Sequence, residues 1–525
     1  MIIILKKTCF KKIYKGPYPK QLQACSITTR NRNLLRYSYR KVLYLFMTRR
    51  ILTLLLLICL TRPVSAQRTS CDCSANLNET IRKTELNYAG FPAKVNSKTK
   101  KAYSLLVHAL KIKSSQQQNA EDCFYLIKQY VRFFKDKHFS LSYYPKEETK
   151  RELMDVDRIL NTVQAGNGDP LEGIWINSDS SLRLVIKKFP NLQYKAIVIQ
   201  SKDSGNVKGQ VYFSLKPHHK VFLLEQYNVF GSTDMYAQRR GGLLQLWGFA
   251  LFGKISGTGM TPDERKELDT WKNNNNGLDF RQLDQETSYI KIPTFFNNDS
   301  RIEKLVAAND KTIRASRYLI IDLRGNGGGN SGWSFLLPYV MTGPIDQDSP
   351  KLRISADNIK LKRAELEPLV KNPMPKEMQK YFPDSYVSKL KSIYEELAHT
   401  KATFIEIPGV RIPLDSVLRK PERVALITDG LCGSSTEFFF NLMKQSGKTK
   451  RYGGNTVGMM DYEGPTSRTM LPCEQLVLMI PVSKMSWADT HPIDQTGFSP
   501  DVKISLPAAE WLNYVKQDLK TNIRQ

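Results

Sequence analysis

Two short apolar runs limit what this chain can become. "YLIID" (Tyr318–Asp322) and "VALIT" (Val424–Thr428) are long enough for strands, carry almost no polar face, and each leads into a glycine-bearing turn. Strands without a polar face must be covered on both sides, which is the situation of parallel strands in an α/β layer. The neighbouring segments agree. "SYIKIPTF" reads as a strand and "RIEKLVAAND" as a helix, while "SFLLPYVM" and "TEFFFNLMKQ" read as helices behind the two turns. From residue 285 to 525 the sequence therefore predicts an α/β core, with a Pro- and Lys-rich insertion over 350–420.

Upstream the periodicity differs. In "FYLIKQYVRFFKD", Phe124, Ile127, Val131 and Phe134 recur at three- and four-residue steps, so residues 67–166 read as a helical domain. From Leu171 to about Phe252 the period is two, in short runs broken by Asn, Gly and Ser, which predicts a small β-barrel or sandwich within 167–284. "TWKNNNNGLD" reads as a linker or loop. At 525 residues, several domains and at least one large core are expected.

The formal charge of +28 at first suggests a nucleic-acid partner. Half of it comes from residues 1–66, which hold fourteen Lys/Arg and no acid, and the rest is interleaved with acids. From Met47, "MTRRILTLLLLICLTRPVSA" has a basic start, an apolar run and a small-residue ending at Ala66. That is the pattern of a secretory signal peptide, too short for a permanent span. Residues 1–46 read as an over-extended start. The mature chain is expected to begin near Gln67 in an extracytoplasmic compartment, periplasmic or secreted. Five cysteines lie beyond that point: Cys71, Cys73, Cys123, Cys432 and Cys473. A bond from "CDC" to Cys123 would tie the terminus to a helix. Five is odd, so at least one thiol remains over, and no Cys or His pairs have zinc spacing.

The chemistry concentrates behind the two strands. "DLRGNGGGNSGW" offers bare backbone N–H groups to an anion. Gly327, Gly329 and Gly332 fit G-x-G-x-x-G, yet Asp322-Leu323-Arg324 separate strand from glycines, and no second strand ends in an acid at the dinucleotide spacing. The other anion that needs such donors is the oxyanion of acyl transfer. "GLCGSSTE" places Ser434 at a helix start, where it is either a nucleophile or an N-cap completing a capping box with Glu437.

Taken together, "DLRGNGGG", "GLCGSSTE", "GGNTVG" (Gly453–Gly458) and "GFSPD" (Gly497–Asp501) resemble, in order, the motifs of the tail-specific (C-terminal processing) and tricorn-core serine peptidases. The resemblance implies a ClpP/crotonase-like α/β core and peptide or protein substrates, with no metal or cofactor. It places the nucleophile at Ser434 and the oxyanion donors at the N–H groups of Gly328 and Ser435. Relatives often carry a PDZ module ahead of the core, but residues 171–285 contain no PDZ-like carboxylate loop. In the Ser–Lys branch a lysine follows the T-x-G turn. Here that residue is Met459, whose thioether cannot take a proton. Lys444, Lys448, Lys450 and Lys484 do not have the motif's position.

The resemblance then points to the histidine-dependent branch. Of six histidines, His138 in "KDKHFSL" matches that branch's D-x-H turn, with His491 as a rival near the closing motif. Asp494, three residues before Gly497, takes the position of the acid that orients the base, with Asp136 as an alternative. The reading is an exported serine peptidase working through an acyl-enzyme. The alternative from another class is an inactive peptide- or ligand-binding protein on the same scaffold.

Overall fold

The computed structural model describes residues 71–148, 150–164, 168–414, 416–462 and 467–521. The leader reading of 47–66 and the over-extended start at 1–46 lie outside them. Among the described residues no helix is long and apolar enough to cross a membrane.

The described residues open with α1 (Cys73–Asn87), α2 (Lys100–Ser114) and α3 (Ala120–Phe133), with a single helical turn over Phe91–Lys94 between the first two. Asn119 caps α3 by accepting the N–H groups of Glu121 and Asp122, and Phe124, Ile127, Tyr130 and Val131 form its buried stripe. Cys73 is bonded to Cys123, so the "CDC" bond joins α1 to α3. After α3 the chain makes a turn at Lys135–His138 and enters β1 (Ser140–Tyr143).

The two-residue period becomes a closed eight-stranded barrel. Its strands are β2 (Gly173–Asn177), β3 (Leu182–Lys188), β4 (Tyr194–Ser201), β5 (Val211–His218), β6 (Val221–Gln226), β7 (Met235–Arg240), β8 (Leu243–Leu246) and β9 (Ala250–Lys254), with β9 closing on β2. Trp175, Leu184, Ile186, Phe213, Leu215 and Phe252 fill the interior, as expected for a small barrel packed solid by its own side chains.

The core is a six-stranded sheet. β10 (Asp279–Asp284) is antiparallel to β11 (Thr287–Lys291), and then β12 (Tyr318–Asp322), β13 (Arg423–Thr428), β14 (Thr449–Gly453) and β17 (Val502–Lys503) follow in parallel. Every residue of β11 and β12 is buried, and helix α4 (Asp299–Ala315) connects them. The segment "SFLLPYVM" is less helical than its pattern predicts. It forms a 3-10 helix over Gly332–Leu336 and one α turn over Leu337–Val340, because Pro338 fits only a first helical turn. The 350–420 stretch carries two long helices, Ala356–Lys371 and Asp384–Glu396, and a single turn over Lys376–Gln379, with its own apolar cluster.

A second sheet makes one body of these parts. The hairpin β15 (Ser467–Met470) and β16 (Leu476–Ile480) leaves the core, β1 pairs antiparallel with β16, and Phe230–Gly231 adds to the far side of β1. Leu471, Leu476, Leu478 and Ile480 join Phe124, Phe134 and Phe139 in one apolar cluster, so burial clamps the helical region to the core. At the barrel's edge a half-buried Arg240–Glu267–Lys291 ion cluster spans β7 and β11.

Candidate active site

The turn that bears Ser434 is built by β13. The strand ends at Thr428, and Asp429–Gly433 turn the chain into helix α5 (Ser435–Leu442). Ser434 sits at the junction with φ +51° and ψ −120°. A residue with a side chain costs about 1–3 kcal/mol in such a conformation and persists only where its surroundings impose it. Those surroundings are specific. Asp429 accepts the N–H groups of Gly325 and Leu431, both at 3.0 Å, and Gly433 N–H donates to Asn326 O at 3.1 Å. The barrel adds Trp247, whose Nε1 donates to Leu431 O at 2.8 Å.

Ser434 and Glu437 stand as the capping box that their spacing predicts. Glu437 reaches back to the Ser434 N–H (3.2 Å), which is the acidic half of the box, while Ser434 Oγ is turned toward His138. His138 Nε2 lies 3.1 Å from that oxygen. The other ring nitrogen, Nδ1, is 2.9 Å from the carbonyl oxygen of Tyr462. A carbonyl only accepts, so Nδ1 carries the hydrogen and Nε2 is left as the acceptor facing the serine hydroxyl. Burial lowers the His138 pKa, and the Tyr462 and Met459 carbonyls oppose that shift. Asp136 secures the turn, accepting His138 N–H (2.8 Å) and the Tyr88 hydroxyl (2.8 Å).

His138 is the one buried histidine of the six; His108, His218, His219, His399 and His491 are exposed. Lys450 and Lys484 pair with Asp518 and Asp489, Lys448 donates to Leu418 O, and Lys444 lies over the Phe498 ring. The Met459 thioether packs against Gly433, where an added Cβ would come within 2.7 Å of Sδ.

Asp494 does not bond His138. It is buried, its Oδ2 accepts Lys94 Nζ at 2.6 Å, and its backbone N–H donates to Asp461 at 2.9 Å. Asp461 also accepts Ile493 N–H (2.9 Å), which clips the segment bearing the Tyr462 carbonyl to the 493–494 loop. Burial and the neighbouring Asp494 push the Asp461 pKa up to about 6. The orienting contact comes instead from a backbone carbonyl, which no side-chain pattern announces. Lys137, next to His138, donates to Gly458 O (3.0 Å) and Asp494 O (2.8 Å) and so fixes the same loop.

The two oxyanion candidates are side by side. A Cβ on Gly328 would meet Ser435 N at 3.0 Å, Ser434 Cβ at 2.8 Å and Gly433 O at 2.6 Å, and its φ is +100°. Only glycine fits there. Ser435 N–H donates to no group among the described residues. Gly328 N–H donates to Asn326 Oδ1 at 3.0 Å, while Asn326 Nδ2 donates to Ile292 O (2.9 Å). Asn326 is thus a clamp on the glycine loop that the sequence reading quoted within its motif without assigning it work. Asp322 and Arg324 form a buried ion pair beneath the loop, with Tyr289 OH on Asp322 at 2.9 Å. The loop faces the serine turn and continues into five residues of 3-10 helix, not into the α-helix that a pyrophosphate uses.

Glu437 couples the elements. Its buried carboxylate accepts Thr456 Oγ1 (2.6 Å), Gly458 N–H (2.7 Å) and Met459 N–H (2.8 Å) besides Ser434 N–H. Burial pushes its pKa up to about 7 against those donors. Among the described residues no cluster of His, Cys, Asp and Glu could hold a metal ion.

Residues 286–504 match the sequence model of peptidase family S41. The chain carries a family S41 serine peptidase domain. No curated protein matches this sequence. Solved structures similar to this chain include mature CPAF complexed with lactacystin, at 11% identity and TM-score 0.48, covering 86% of this chain and 97% of that one. The photosystem II D1 C-terminal processing protease is similar at 12% identity and TM-score 0.36, covering 84% and 97%. The tricorn protease is similar at 15% identity and TM-score 0.34, covering 86% of this chain and 36% of that one.

Proposed function

We propose that this S41 protein is an exported peptidase of the histidine-dependent branch, cleaving peptide bonds through an acyl-enzyme on Ser434. The observation that carries the reading is the 3.1 Å contact between His138 Nε2 and Ser434 Oγ, with Nδ1–H held by the Tyr462 carbonyl. In this mechanism His138 takes the Ser434 proton as Oγ attacks the peptide carbonyl carbon. The charge developing on the carbonyl oxygen meets Ser435 N–H at the start of α5. It also draws Gly328 N–H from Asn326 Oδ1, since an oxyanion is the stronger acceptor. His138 then protonates the leaving amine. A water, deprotonated by the same imidazole, releases the acid product and restores Ser434. The Tyr462 carbonyl holds the tautomer throughout, and the Asp494–Lys94 pair braces the loop around it.

Export is supported by the leader pattern at 47–66 and by the Cys73–Cys123 disulfide, a bond that persists in oxidising compartments. A fluorophosphonate probe tests the catalytic reading. Mass spectrometry of the tagged peptide should find the adduct on Ser434, and Ser434→Ala should abolish it. No labelling from mildly acidic to mildly basic pH would favour a binding protein on this scaffold. N-terminal sequencing of the exported protein should begin near Gln67.

A further inference from the structure

Cys71 and Cys473 come from opposite ends of the described chain and meet at one side chain. Asn76 Nδ2 donates to Cys71 Sγ at 3.6 Å, and Asn76 Oδ1 accepts the Cys473 N–H at 2.9 Å. Cys71 belongs to the apolar cluster of the helical region, and Cys473 packs against that same cluster. Cys71 is buried and its own N–H is tied to Gln118 O at 3.0 Å, whereas Cys473 is half-buried. Cys71 lies just before Asp72, the N-cap of α1. Cys473 lies in the turn between β15 and β16, where Leu476 N–H donates to its carbonyl at 2.8 Å.

We propose that Cys71 and Cys473 form a second disulfide, strapping the N-terminal helices, and His138 with them, to the β15–β16 hairpin of the peptidase core. β1, which follows His138, pairs along β16, so the strap lies on the sheet that docks the base. The reaction needs a small-molecule disulfide as oxidant, of the glutathione disulfide class. The Cys473 thiolate attacks one sulfur of it and expels the first thiolate. Cys71 then loses its proton and attacks Cys473 Sγ in the mixed disulfide, expelling the second. Two protein thiols are oxidised, one disulfide is reduced to two thiols, and the two protons pass to the leaving thiolates. Burial pushes the Cys71 thiol up, which makes half-exposed Cys473 the attacking group and Cys71 the resolving one. Cys432 is then the remaining thiol of the five, buried with Sγ donating to Leu323 O at 3.0 Å.

The bond would form spontaneously in the exported protein, and in that respect it rests on the export reading; oxidation of the purified protein does not. The full chain is incubated with oxidised glutathione, denatured in N-ethylmaleimide and digested without reduction. The expected map contains Cys71 linked to Cys473 and Cys73 linked to Cys123, with maleimide on Cys432 alone among the five. Maleimide on both Cys71 and Cys473, glutathione retained on Cys473, or Cys71 linked to Cys123 would overturn the proposal. Under oxidising conditions Cys473→Ser should melt several degrees below wild type, a gap that closes in dithiothreitol. Equal melting in both conditions would remove the strap. The peptide map does not depend on activity, so failure of Ser434 labelling leaves it interpretable.

Discussion

His138 Nε2 and Ser434 Oγ stand 3.1 Å apart although 296 residues separate them in the chain. The contact exists because β1 pairs with β16 and the aromatic cluster of α1 and α3 closes over that sheet. If the two residues act as a unit, their losses should not add. Ser434→Ala and His138→Ala should each lower kcat by about 10³-fold or more, and the double variant should be little worse than either. Rates on a fluorogenic peptide measure this; multiplicative losses would separate the pair.

Asp494 pairs with Lys94, not with the imidazole, so Asp494→Asn should behave unlike the loss of a triad aspartate, which costs about 10⁴ in kcat. We expect kcat to stay within about tenfold of wild type. The denaturant midpoint should fall, because Lys94 loses its buried partner. A loss near 10⁴ with an unchanged midpoint would make Asp494 the orienter after all.

The pH profile follows from the depressed His138 pKa. In the proposed mechanism neutral imidazole is the base, so kcat/KM should fall with acidification along a limb below the ordinary histidine range, about 6.5. The stability sign is the same. The unfolded histidine takes its proton first, so this group's contribution is complete above about 6.5 and is lost as pH drops through the folded value. An acid limb above 6.5 would contradict the buried setting.

Glu437 titrates in the opposite sense. Raised from 4.5 to about 7, it keeps its proton longer when folded, so its contribution to stability declines as pH rises through that window. Glu437→Gln should flatten thermal-melting curves plotted against pH between those values. Glu437→Ala should be worse: it strands three N–H groups and the Thr456 hydroxyl, at about 1–3 kcal/mol for each that stays buried. The melting temperature and the activity should fall together.

Gly328 has no room for a methyl group beside Ser434 and Ser435. Gly328→Ala should lower kcat far more than it changes KM, since the displaced groups are those that meet the transition state. Steady-state kinetics with near-native far-UV circular dichroism would distinguish this from unfolding.

Much of this was legible in the chain. The period-two run of 171–252 closed into a barrel, the stripe of Phe124, Ile127 and Val131 became the buried face of α3, and the two apolar runs became adjacent parallel strands, β12 and β13. Local pattern suffices there because periodicity records which face meets water. It misjudged "SFLLPYVM", where one proline outweighed an apolar pattern. The site was half legible. Ser434 and Gly328 sit in short motifs whose neighbours build their geometry, and Met459 excluded a lysine dyad at that position. Residue order alone carries the strands, the glycine turns and the side chains able to do the chemistry. The tertiary structure decided which histidine meets the serine, that Asn326 holds the Gly328 N–H, and that the Tyr462 carbonyl, not Asp494, receives Nδ1–H. The reason is physical: every residue has a carbonyl, so a backbone acceptor leaves no trace in residue identity, and only the docking of β1 on β16 selects one.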